Sequence, residues 1–115
     1  MLMSKKAGIR KYLEASGPDN RSTFRRLLSD YLDGKLSTKL QQIGLDKPEI
    51  TIDFLEEYKC INIQGKCKRN YVDIQIEETE FSIGCDPIEP DDHEYYPLED
   101  YDSFFATVSQ KLNVL

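Results

Sequence analysis

Three kinds of side chain in this sequence have types and spacing that could do chemistry. Cys60, Cys67, Cys85 and His93 number four, the ligand count of a structural zinc site. Their gaps of six, seventeen and seven residues are not the two to four that pair zinc ligands, and strand alternation sends Cys60 and Cys85 to different faces. They read as free, buried thiols, with no metal site. The segment DPIEPDDHEYYPLEDYD, residues 86–102, holds eight carboxylates, three prolines and the sole histidine, without a lysine or arginine.

Asp53, Glu57 and Lys59 form the second set. Glu57-Tyr58-Lys59 behind an aspartate has the E-x-K form of metal-dependent nucleases, in which carboxylates hold a divalent ion and the lysine assists water. Three residues recur by chance in a chain this charged, and a surface that cleaves nucleic acid is expected to be basic. A small metal-dependent hydrolase or nuclease is therefore the alternative reading. A Ser-His-Asp arrangement would have to use His93, and no G-x-S-x-G elbow accompanies it. Neither G-x-G-x-x-G nor G-x-x-x-x-G-K-[ST] is present, and DPIEPDDHE lacks the alternation and glycine of a calcium loop. No catalytic residue, metal ligand or cofactor is assigned.

The acidic segment is the third set. Glu99, Asp100 and Asp102 suit the start of a helix, where the exposed N–H groups and the dipole favour carboxylates. Asp86, Glu89, Asp91, Asp92 and Glu94 remain, in a connection stiffened by Pro87, Pro90 and Pro97. With Tyr95, Tyr96 and Tyr101 as amphipathic anchors, they form the expected docking surface for a basic protein. Stretched out, seventeen residues reach about 55–60 Å, so eight carboxylates give one charge per ~7 Å. Duplex DNA carries one per ~1.7 Å. Mimicry of nucleic acid would need Glu56, Glu57, Glu77, Glu78 or Glu80 alongside.

Bulk composition agrees with binding. The 115 residues fit one α+β domain, 1–115, and 39% apolar residues suffice for one core. Residues 1–48 carry ten Lys/Arg against five Asp/Glu, and residues 49–115 five against sixteen. The halves are thus about +5 and about −11, which disfavours nucleic acid as partner of the acidic half. Arg21, Arg25 and Arg26, with Lys5, Lys6, Arg10 and Lys11, offset it. No window is apolar enough to span a membrane, and the opening MLMSKKAGIRKYL lacks the core of a signal peptide, so a cytoplasmic protein is expected, with its cysteines reduced.

The elements that must position these groups follow from periodicity. Phe24, Leu27, Leu28, Tyr31 and Leu32 form a helical stripe that stops at Gly34. Weaker helical patterns cover residues 4–15 and 37–43. After Pro48 the period becomes two: Ile50, Ile52 and Phe54; Ile61 and Ile63; Val72, Ile74 and Ile76; Phe81, Ile83 and Cys85. Gln64-Gly65-Lys66 and Glu77–Glu80 read as turns, so four strands form an antiparallel meander. Phe104, Phe105, Val108 and Leu112 restore the helical period. The expected architecture is α+β, with N-terminal helices and a C-terminal helix packed on one face of a four-stranded sheet, leaving Asn62, Gln64, Tyr71, Asp73 and Gln75 on the other. In function, the chain reads as a non-enzymatic acidic protein-binding module, such as an inhibitor or immunity-type neutraliser of a basic protein.

Overall fold

Alternating apolar residues between residues 50 and 97 build a five-stranded antiparallel sheet, seen in a computed structural model that describes residues 9–11, 13–14, 23–46, 50–85 and 93–114. The strands are β1 (Thr51–Leu55), β2 (Cys60–Cys67), β3 (Asn70–Ile76), β4 (Glu80–Cys85) and β5 (Glu94–Pro97), and they lie side by side in chain order. The helices are α1 (Thr23–Leu32), α2 (Lys35–Gln42) and α3 (Tyr101–Asn113). Residues 9–11 and 13–14 are also helical.

Register sets the two faces. Ile52, Ile63, Ile74 and Ile83 stand in one cross-strand row, and Phe54, Ile61, Ile76, Phe81 and Tyr96 in the next. The buried members of these rows share one cluster with Phe24, Leu27 and Leu28 of α1, Leu36 and Leu40 of α2, and Phe104, Val108 and Leu112 of α3. Each such side chain removed from water contributes roughly 1.5–3 kcal/mol. Phe104 meets Phe81 edge-on, with ring centres 4.8 Å apart. Asp53, Asn62, Gln75, Ser82 and Tyr95 form a row on the opposite, open face.

Helix ends follow their local chemistry. Gly34, at φ 73°, makes the left-handed turn between α1 and α2 that a residue with a Cβ adopts only with strain. Asp100 caps α3, its carboxylate accepting the Ser103 N–H at 3.2 Å. Thr23 Oγ1 donates to the Glu99 carbonyl at 2.5 Å, which ties the start of α1 to that of α3.

Two expectations about the sheet are corrected. Among the described residues the sheet has five strands, because Glu94–Pro97, read as loop, pairs with β4 through Ser82↔Tyr95 and Phe81↔Tyr96. Gln64-Gly65-Lys66 is not a turn: β2 runs through it, and Gly65 is buried where a Cβ would sit 3.5 Å from Leu45. The reversal falls at Lys68-Arg69, both in left-handed conformation at φ 51° and 72°.

Candidate functional site

Of the expected docking residues, Asp86, Glu89, Asp91 and Asp92 lie outside the described residues. The other four are placed as follows. β5 carries Glu94 toward α3, where Glu94 Oε2 lies 2.5 Å from Lys111 Nζ and accepts the Tyr96 hydroxyl at 2.5 Å. The bonds from Lys111 and Tyr96 hold the Glu94 carboxyl below its ordinary pKa, and the bond to Glu94 raises that of Tyr96. Tyr96 is half-buried, stacked on Phe81 at 5.4 Å.

Tyr101 is only 6% exposed and belongs to the core. Its ring lies beneath the Arg26 guanidinium at 3.8 Å and Lys39 Nζ at 4.3 Å. Its hydroxyl donates to Asp30 and accepts from Lys39. Burial, then the bond to Asp30, pushes its pKa up. Of the three tyrosines only Tyr95 faces solvent fully, at 68% exposure. The local cause is strand alternation: Tyr95 and Tyr96 are neighbours in β5 and so point to opposite faces.

The meander collects other acids instead. Successive hairpins reverse direction, so Glu56 and Glu57 after β1, Glu77, Glu78 and Glu80 around the β3–β4 turn, and the exit from β5 all lie at one end of the sheet. The Leu98 N–H donates to the Thr79 carbonyl at 2.9 Å, which sets Glu99 beside that turn. All six glutamates are exposed. Glu78 meets Lys59 at 4.0 Å, an exposed pair of little energetic weight. Tyr58, 73% exposed, and Leu55 stand among them. β4 ends at Cys85 and β5 begins at Glu94, both at the opposite end of the sheet.

On the open face, His93 joins two strands. Its Nδ1 lies 3.1 Å from Ser82 Oγ in β4, and its Nε2 lies 3.3 Å from Asp73 Oδ2 in β3. Nε2–H is placed to donate to Asp73, and Nδ1 shares a hydrogen bond with the Ser82 hydroxyl. Gln75 Nε2 also donates to Asp73 Oδ2, at 3.3 Å. The order of groups is that of a charge relay. Ser82 is nonetheless 3% exposed, and β4 is paired on both sides, so its amides belong to the ladders rather than to an oxyanion site. In this geometry the trio fastens β3, β4 and β5 together.

Cys67 and Cys85 join the core cluster, and Cys60 is buried outside it; all three are free thiols whose pKa values are raised, chiefly by burial. Lys59 reaches Glu78, and Asp53 stands opposite Asn62 within the sheet. Among the described residues no three His, Cys, Asp or Glu side chains are grouped to hold a metal ion. No described helix is long and apolar enough to cross a membrane.

Comparison of the chain with models of protein families, with curated proteins and with solved structures returned no match.

Proposed function

We propose that this chain is a non-enzymatic module that binds a basic protein partner through the acidic end of its sheet, acting as an inhibitor or immunity-type neutraliser in the cytoplasm. The observation that carries this reading is the gathering of Glu56, Glu57, Glu77, Glu78, Glu80 and Glu99 at one end, where Lys59 pairs with Glu78. Six carboxylates held at one pole repel each other and add nothing to folding, but they create a field that speeds encounter with a cationic surface. Tyr58 and Leu55 offer apolar area in their midst, as the centre of an interface requires. The proposed contact surface takes in the hairpin turns, and Glu94 is paired with Lys111 beside it.

Capture of partners from the native host on immobilised protein tests this. One basic protein should be retained at low salt and released at high salt, and charge reversal at Glu56, Glu57 and Glu78 should abolish retention. Retention that ignores both salt and charge reversal would falsify the reading.

A further inference from the structure

The core of this protein is thinnest at β1. Ile61 and Ile63 of β2 are fully buried, whereas Ile50, Ile52 and Phe54 pack against the core and stay partly open. No described strand pairs with the outer side of β1. Within Thr51–Leu55 there is no lysine or proline, the residues that commonly guard a sheet border, and the one charge, Asp53, stands on the open face. A strand added here would extend the ladder and cover the three apolar side chains together.

The residues of β1 select that strand. A two-fold axis normal to the sheet sets two copies of β1 antiparallel, keeps both helix layers on one side, and places residues of the same face opposite each other. Centred on Ile52, it pairs Ile52 with its own copy, Ile50 with Phe54, and Thr51 with Asp53. Apolar then meets apolar on the core face, and hydroxyl meets carboxylate on the open face. Centred on the next residue, it would set Asp53 against Asp53, like charges in direct opposition.

The charges at the two ends of the sheet agree with this pairing. β1 leads into Glu56 and Glu57, while its first residue lies toward the other end, where among the described residues Lys66, Lys68 and Arg69 outnumber the neighbouring Asp46. Antiparallel pairing lays the acidic end of each copy beside the basic end of the other. The geometry points to a homodimer in which two β1 strands pair about Ile52 and join the two sheets into one. Glu77, Glu78, Glu80 and Glu99, toward β5, stay open in it, so the dimer neither needs nor excludes a basic partner at those residues.

Sedimentation equilibrium from micromolar to millimolar protein provides the test, with a monomer–dimer equilibrium as the expected result. Thr51 is exposed, so substitutions there should keep the fold, and circular dichroism checks that they do. Thr51→Asp would face Asp53 of the second copy at two symmetric places and should raise the dissociation constant about 5–10-fold. Thr51→Lys would face the same carboxylates and should lower it by about the same factor. A monomer throughout the range, a dimer that responds alike to both substitutions or to neither, or assembly that continues past two copies overturns the inference.

Discussion

The imidazole of His93 occupies the space that a side chain at position 84 would need: a Cβ on Gly84 would stand 2.5 Å from Nε2 and 2.6 Å from Cδ2. Gly84→Ala should therefore expel the ring from its place between Ser82 and Asp73, at about 1–3 kcal/mol. His93→Ala should cost a similar amount by stranding their polar atoms. In the His93→Ala background, Gly84→Ala should become nearly neutral, because the clash has gone. Urea midpoints for the four proteins of this cycle decide it; simple additivity would show that the ring does not depend on the glycine.

Tyr101 links three helices, through Asp30 of α1, Lys39 of α2 and its own place in α3. Tyr101→Phe keeps the ring and its stack under Arg26 and Lys39 but leaves the part-buried Asp30 carboxylate without its hydroxyl donor. A loss of about 1–3 kcal/mol is expected in equilibrium unfolding. Lys39→Met should cost less in the Tyr101→Phe background than in the native protein, since one network is being dismantled.

Alkaline pH should weaken the fold. Cys60, Cys67, Cys85, Tyr96 and Tyr101 all have pKa values raised above their ordinary values, near 9 for the thiols and near 10 for the phenols. Folded protein therefore keeps protons that the unfolded chain releases, so this stability is complete below pH 9 and declines as pH rises through and beyond these values. Midpoints measured from neutral pH upward should fall, and the fall should be shallower in Cys85→Ala and Tyr101→Phe. In the same range a thiol reagent should label the three cysteines only as fast as the protein opens.

The Lys68-Arg69 turn bends through left-handed conformations usually left to Asn-Gly, each strained by about 1–2 kcal/mol when the residue carries a Cβ. Arg69→Gly should relieve part of that strain and stabilise the protein by about 0.5–1 kcal/mol. An unchanged or lower melting temperature would mean that the Arg69 side chain contributes as much as its backbone costs.

Much of the sheet was legible because one buried face forces period two, so Ile61, Ile63, Val72, Ile74, Ile76, Phe81 and Ile83 announce their strands. Gly34 and Gly44, both at positive φ, end α1 and the turn after α2 where a glycine signal would place them. β5 escaped because it is four residues long, closes on a proline and sits among acids, the composition of a loop. The hairpin at Lys68-Arg69 escaped because neither residue prefers such a turn, while Gly65 is a glycine kept in a strand by close packing. The Ser82–His93–Asp73 contact lay half in view: alternation puts Ser82, Gly84 and Asp73 on one face, but only folding brings the single histidine over them. Likewise the acids at residues 56–57, 77–80 and 99 are scattered in the chain and become neighbours only through the order of the strands.

The last strand has a bearing on how this protein behaves in crowded solution. β5 is short, carries the ionised Glu94 and ends at Pro97, which has no N–H to offer a further strand. A backbone arriving from a second molecule finds no continuous ladder there, which blocks templated growth at that margin. Among the described strands β1 is the sheet's other border, and its outer backbone groups are where edge-to-edge growth would start.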